Sequence, residues 1–257
     1  MAKKAPKLAI GVDIGGSGIK GAPVNLKTGE FAAERLRIPT PPNGDPEVLA
    51  GIVKEIVESF EPDDDLAVGV CIPGPVVHGV IPMMANLSKK WEGTNAQKLF
   101  EDTLGREVLV VNDADAAGYA EVEYGVAKRE GGTSIVLTLG TGIGSALVRD
   151  GILIPNTELG HIILPNGKKA EKWAASSIKT AEDLSFEEWA ERLQEVFSQV
   201  EMLFSPDVFV IGGGVSKKHK KFVPLIKTRA EIVPAKLFNA AGIVGSATLA
   251  HRARYGK

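Results

Sequence analysis

The chain has 257 residues, 44% of them hydrophobic and 24% charged, and a formal net charge of −2. Those values describe an ordinary globular chain, long enough for one large domain or two smaller lobes with buried cores. They exclude a molecule built as a whole to coat nucleic acid or an anionic membrane, so any anion site must come from local arrangement. The one cysteine, Cys71, lies inside the apolar run LAVGVCIP. A disulfide within the chain is impossible, and without a basic neighbour the residue reads as a buried thiol rather than a nucleophile. A cytoplasmic setting is the expectation that follows. The stretch MAKKAPKLAIGVDIGG is basic but has no long apolar segment, so neither an export signal nor a membrane span is expected.

Residues 8–14 form an apolar, β-rich run that ends at glycines, and residues 19–26 continue as a second strand. After the turn Lys27-Thr28-Gly29, residues 30–38 read as a third strand, and TPPNGDP is a loop. Asp45 then caps a helix whose apolar face uses Val48, Leu49, Ile52, Val53, Ile56 and Val57. Strands are expected at 66–72 and 108–111, with a helix at 95–104 between them. The second half repeats this logic. Strands at 134–139 and 143–148 are followed by an Asp150-Gly151 hairpin into 152–154. A helix over 185–204, a buried strand at 208–211, a short strand at 230–233 and a last helix at 241–254 close the chain. The order predicts an α/β protein of two lobes, each with a mixed sheet. Residues 1–112 with 242–257 form the smaller N-terminal lobe, and 113–241 the larger C-terminal lobe.

A Gly-rich turn occurs twice. DIGGSGIKGAPV starts at Asp13 and TLGTGIGSALV at Thr138, and aligning Ser17 with Thr141 gives an offset of 141 − 17 = 124, close to half the chain. Each copy lies between two apolar runs, a strand–turn–strand unit used once per half. Neither is a Walker A loop, since no G-x-x-x-x-G-K-[ST] string is present. A dinucleotide turn feeds a helix, whereas Ser145 onward reads as a strand. One copy would be compatible with a tight turn and nothing more. Two matched copies favour phosphate binding through bare backbone N–H groups and a Ser or Thr hydroxyl.

Several polar residues near these turns have two readings each. Asp13, at the end of the first strand, is either a turn-capping residue or a magnesium ligand beside a phosphate. In VVNDADAAGYAE, Asp113 or Asp115 can cap a helix, and a carboxylate at that strand end can instead serve as general base toward an alcohol. Glu158 and His161 in NTELGHIIL can be a loop pair, or can share the hydroxyls of a sugar; a metal half-site lacks its second pair of ligands. Asn86 and Trp91 suit either a polyol or an ordinary packed loop. In IGGGVSKKHKKF, Ser216 is an N-cap candidate. Lys217, Lys218, Lys220 and Lys221 form either a solvated face or a track for a long polyanion.

Together these pieces resemble the ROK family of bacterial sugar kinases, within the hexokinase–actin superfamily. The resemblance covers nearly the whole chain through DIGGSGIK, NDADAAGYAE, LGTGIG, ELGH and IGGG, in that order. NDADAAG, TLGTGIG and PNTELGH are similar to the polyphosphate glucokinase branch. The resemblance implies a duplicated, ribonuclease H-like fold and phosphoryl transfer from inorganic polyphosphate, with ATP as a further donor, to the 6-hydroxyl of glucose. An ATP-dependent hexokinase acting on glucose or mannose is the alternative. The resemblance further implies Asp113 as the general base, with Asn86, Asn112, Glu158 and His161 on the other sugar hydroxyls. Gly15, Gly16, Ser17 and Gly18, with Lys20, and Gly140, Thr141 and Gly142 would embrace the transferred phosphate. Gly212, Gly213 and Gly214 would lie where other members receive adenosine, with the four lysines beyond them on the polyphosphate chain. Mg²⁺ would be steered by Asp13, directly or through water. Many members carry a Cys-rich zinc motif after ELGH; IILPNGKKAEKWAAS has no cysteine, so structural zinc is not expected. A homodimer is a family expectation. A sugar-sensing repressor would need an N-terminal helix-turn-helix, for which a first strand near Leu8 leaves no room. An actin-like filament ATPase is at odds with the sugar-like set Asn86, Asp113, Glu158 and His161.

Overall fold

The first apolar runs form antiparallel strands β1 (Leu8–Gly15) and β2 (Gly18–Asn25), which close on the register pair Gly15–Gly18 at the first Gly turn. The structure is a computed structural model that describes residues 5–127 and 131–256. The expected third strand is instead two short ones, β3 (Glu30–Phe31) and β4 (Leu36–Ile38), both paired to β2. The register gives the reason. Val24 faces Phe31 and Lys20 faces Arg37, so 37 − 31 = 6 steps on one side must match 24 − 20 = 4 on the other. The two surplus residues leave the sheet as a bend.

β5 (Val68–Ile72) and β6 (Val108–Asn112) extend the sheet in parallel with β1, giving the order β3-β2-β1-β5-β6 with β4 beside β2. Helix α1 (Pro46–Glu58) buries Leu49, Val53, Ile56 and Val57 against this sheet. Val48, expected on the same face, is half exposed, and Ala50 is buried in its stead. Asp45 holds the N-cap position of α1, but its carboxylate pairs with Lys90 Nζ at 2.6 Å rather than with the helix amides. Helix α2 (Ala96–Leu104) is capped by Asn95, which accepts from Lys98 N at 2.9 Å. Helix α3 (Asp113–Glu123) follows β6 directly.

β7 (Thr133–Leu139) and β8 (Ile143–Arg149) repeat the opening hairpin, and β9 (Ile152–Ile154) continues it. Two short helices, α4 (Ala170–Ala174) and α5 (Ser176–Ala181), occupy a stretch whose sequence predicts no element. Helix α6 (Phe186–Phe204) begins with a full capping box between Ser185 and Glu188. Its buried face, Trp189, Leu193, Val196, Phe197 and Val200, packs with Ile135, Leu137, Phe209 and Ile211 in one core. β10 (Val208–Gly212) and β11 (Glu231–Pro234) add in parallel to β7, giving β11-β10-β7-β8-β9. The two sheets therefore have the same plan: an antiparallel hairpin whose first strand is joined by two parallel strands. This is the duplicated α/β architecture, with a mixed sheet in each half, that the sequence predicts.

Helix α7 (Ala241–Tyr255) lies on the first sheet at backbone distance. Gly11 and Gly69 are register partners, and a Cβ on either would fall 1.9 Å from Ile243 O or 2.0 Å from Ser246 O. A Cβ on Gly245 would likewise fall 1.8 Å from Ala116 O, so α3 and α7 also meet backbone to backbone. One compact unit runs to Ala120 and resumes at Asn239, and the other is Glu121–Phe238. Most of α3 thus joins the first unit, which is the larger of the two, against the expected boundaries at 112/113 and 241/242. Among the described residues no helix is long and apolar enough to cross a membrane.

Candidate active site

In the first unit, β1, β5 and β6 run parallel and end side by side, where ligands of α/β sheets gather. Asp13 lies two residues before the end of β1, and Asp113 follows β6. Cys71, fully buried on β5, feels both carboxylates: burial, then Asp13, then Asp113, push its thiol well above the ordinary range. It is an inert thiol, as its apolar setting predicts. Asp13 Oδ1 lies 3.6 Å from Cys71 Sγ, and Oδ2 lies 3.7 Å from Lys20 Nζ. Burial raises the Asp13 carboxyl above its ordinary value, with Lys20, Cys71 and Arg35 opposing. Lys20 is thus first of all the cross-strand partner of Asp13.

The helix cap after β6 falls to a residue that sequence reasoning assigned to the sugar. Asn112 Oδ1 accepts from Ala114 N at 2.8 Å and from Asp115 N at 3.0 Å, doing the work expected of Asp113 or Asp115. Asn112 is buried, and the amide NH₂ is what it has to offer a ligand. Asp113 Oδ1 accepts from Ala114 N at 2.7 Å, which fixes the carboxylate at the strand end.

Gly16 and Asn86 line one cavity of ≈ 510 Å³ with Thr40, Asn43 and Lys90. Trp91 takes no part. It is fully buried, donates from Nε1 to Gly44 O at 2.9 Å and packs on Phe100, so it belongs to the core of the loop.

In the second unit the motifs gather around the second Gly turn. A Cβ on Gly160 would lie 2.1 Å from Ile143 O, so the Glu158–His161 turn is pressed onto the start of β8. Ser145, buried on β8, donates from Oγ to Thr157 O and accepts from Leu159 N at 2.9 Å, fixing the same turn. Glu158 Oε2 and His161 Nε2 are 3.9 Å apart. Burial raises the Glu158 carboxyl above its ordinary value, His161 opposes, and Glu171 adds to the rise. Gly212 is paired with Thr138 on β7. Gly213 has φ 83°, and a Cβ there would lie 2.4 Å from Leu139 O, so the IGGG segment crosses the end of β7 beside the turn. Ser216 is not a cap: its Oγ reaches back to Gly213 O at 2.7 Å inside a 3₁₀ segment, Gly214–Lys221. Lys217, Lys218, Lys220 and Lys221 are exposed on that segment. Lys217 Nζ is 5.8 Å from the Phe238 ring and Lys221 Nζ is 5.3 Å from the Phe186 ring.

The glycines of the turns pose a sharper question. Gly16, Gly140 and Gly214 have no positive φ, and a Cβ on them would meet nothing closer than 4.0 Å. Neither backbone strain nor packing in the chain explains the missing side chains, whereas close approach of a ligand to bare amides does.

The ROK family model matches residues 9–172, more than half of the chain. The chain belongs to the ROK family. It is 46% identical over 238 residues, 92% of this chain and 89% of the relative, to the polyphosphate glucokinase of Mycobacterium tuberculosis (strain CDC 1551 / Oshkosh). Among solved structures it is similar to the inorganic polyphosphate/ATP-glucomannokinase of Arthrobacter sp. strain KM. That match has TM-score 0.88 and 44% identity, covering 97% of this chain and 100% of that one. A ROK glucokinase from Streptomyces griseus, solved with glucose and AMPPNP, matches with TM-score 0.79 and 25% identity over 95% of this chain and 99% of that one.

Three residues of this ROK chain escape a reading of the sequence. Arg37 faces Lys20 across β2 and β4 and donates from Nη2 to Ser17 O at 2.9 Å, at the first turn. Glu171 raises the Glu158 carboxyl and stands over the second turn, its Oε2 2.7 Å from where a Gly142 Cβ would be. Ser177 donates from Oγ to Thr141 O at 2.6 Å. Only Glu171 carries a local signal, a carboxylate shortly after ELGH. The other two depend on how distant segments fold back.

The residues also bear on magnesium. Among the described residues no group of three His, Cys, Asp or Glu could hold a metal. Mg²⁺ needs only one or two carboxylates when phosphate oxygens and waters complete its octahedron. Asp13 therefore fits an ion that arrives with a polyphosphate or nucleotide.

Proposed function

We propose that this ROK protein is a glucokinase that transfers a phosphoryl group from inorganic polyphosphate to the 6-hydroxyl of glucose. The observation that carries the reading is near full-length similarity to two proteins whose names join polyphosphate to a hexose. The geometry supports it: two Gly turns with bare amides, and a fixed carboxylate after β6.

Asp113 is assigned as the general base that takes the O6 proton as attack proceeds. The Asn112 amide, Asn86, Glu158, His161 and Glu171 are assigned to the remaining hydroxyls. The amides of the Gly15–Gly18 and Gly140–Gly142 segments, with Lys20, take the transferring phosphoryl oxygens. Mg²⁺ carried in on the donor and held by Asp13 would supply further charge neutralisation there. General-base action supplies typically about 10²–10⁴-fold, so positioning and fixed dipoles must supply the rest.

ATP is the second donor in this reading. It is favoured by the open backbone at Gly214 beside the second turn, and by the solved Streptomyces griseus complex with AMPPNP. The homodimer that the family resemblance implies is part of the same proposal and is read by light scattering. The deciding experiment measures glucose 6-phosphate formation with polyphosphate and with ATP in parallel, and mannose beside glucose. Activity with polyphosphate at least equal to that with ATP is the expected result. Activity with neither donor would overturn the reading.

A further inference from the structure

Each Gly turn has its carbonyl groups drawn back by a residue from outside the turn. At the first, Thr40 Oγ1 donates to Gly15 O at 2.5 Å and Arg37 Nη2 donates to Ser17 O at 2.9 Å. At the second, one residue does both: Ser177 N donates to Gly140 O at 3.1 Å and Ser177 Oγ donates to Thr141 O at 2.6 Å. The second turn also closes on itself, through Gly140 N to Gly142 O at 3.0 Å.

A trans peptide is planar, and its C=O and N–H point in opposite directions. Holding the Gly140 and Thr141 carbonyls toward Ser177 therefore turns the N–H groups of Thr141 and Gly142 away from it. Holding Gly15 O toward Thr40 does the same for the N–H of Gly16. Around Gly140 that leaves open space, since a Cβ there would meet nothing within 4 Å.

The helpers come from unrelated places, a loop after β4 and the first turn of α5, yet they act on the same feature. The Thr40 bond to Gly15 O is part-buried and joins the set by its matching geometry. The exposed carbonyls Thr141 O and Ser17 O could be satisfied by water at little cost, so stability alone does not call for Ser177 or Arg37 there. A direction for the amides does. Donors aimed before the reaction need no reorganisation as charge develops.

We infer that Ser177 and Thr40 are positioning residues for phosphoryl transfer, acting through the direction they give the turn amides. The inference rests on the kinase reading above.

The test compares wild type with Ser177→Ala, Ser177→Thr, Thr40→Ala and Thr40→Ser, each assayed with polyphosphate and ATP across glucose concentrations. Each alanine variant is expected to lose about tenfold in kcat, in line with the cost of small misplacements, while the glucose KM and thermal midpoint stay put. Ser177→Thr and Thr40→Ser, which keep a hydroxyl, are expected to restore most of the rate. An unchanged kcat in both alanine variants overturns the inference. So does a loss that the hydroxyl variants fail to restore, or one that tracks a falling thermal midpoint. A wild type silent with both donors instead sinks the kinase reading itself. An active wild type with indifferent variants removes only the positioning role.

Discussion

At the first Gly turn the strands close on Gly15 and Gly18, and the flanking positions are charged: Asp13 faces Lys20, and Lys20 faces Arg37 across the next strand. At the second, the last pair is Leu139–Ile143, which leaves three residues in the turn instead of two. The register pair matching Asp13 and Lys20 there is Leu137 and Ser145 (13 + 124 before the turn, 20 + 125 after its extra residue), and both are buried. The same contrast recurs at the sheet edges. β6 is followed by Asp113, whereas its counterpart β11 is followed by Ala235. The duplication thus preserves a backbone that presents amides, while the carboxylates assigned to proton and metal work lie in the first copy only. The second copy's polar equipment is hydroxyls, the Glu158–His161 turn and Glu171.

The hardest blow to that asymmetry is Asp113→Asn. Loss of the base should cut turnover by about 10²–10⁴-fold or more, with glucose binding by calorimetry unchanged. Asn112 retains the helix cap, so the fold should survive. A variant that keeps more than about a tenth of wild-type turnover would remove Asp113 from the role, because general-base loss costs more than that.

Asp13→Asn breaks the comparison at the turn itself and should be next in size, lowering turnover with either donor if Asp13 holds Mg²⁺ as proposed. It also has a signature in stability. Burial raises the Asp13 carboxyl above its ordinary value of 3.8, so the native state holds that proton more tightly than the unfolded chain. The stability associated with it is fully present below 3.8 and declines as pH rises through the folded value. The amide removes that slope. The thermal midpoint of the variant, relative to wild type, should therefore become more favourable between about pH 4 and about pH 7. A difference that is flat across this range would show that Lys20 and Cys71 fully offset the burial.

How much of this was legible depended on distance along the chain. The hairpins β1–β2 and β7–β8 were, because alternation and glycine punctuation are local signals. The third strand was not, since its break follows from a two-residue surplus in register against β2. The choice of Asn112 as cap was equally hidden: Asn112, Asp113 and Asp115 are all chemically able to cap, and only the path of the chain selects one. Trp91 could have faced a sugar or a core, and burial against Phe100 decides it. Arg37, Thr40 and Ser177 reach the Gly turns from strands and helices elsewhere, so no spacing in the sequence announces them.

The smallest effect concerns the lysines after Gly214, a cluster of positive charge in the second unit. They are exposed, so each acts through water and is screened beyond about 10 Å at ordinary salt. They also diverge, Lys217 leaning toward Phe238 and Lys221 toward Phe186, so they do not form a single clamp. If they guide the donor, they should touch only phosphates beyond those in the Gly turns. Replacing Lys217, Lys218, Lys220 and Lys221 together by Ala should then raise the KM for long polyphosphate by roughly three- to tenfold and flatten its salt dependence, as fewer counterions are released. Turnover with ATP or tripolyphosphate should hardly move, since neither is long enough to need the track. Equal effects on short and long donors would place the lysines at the reacting phosphate. Unchanged kinetics with long chains would make the segment a solvated face and leave the neutral second turn to grip the donor with amides alone.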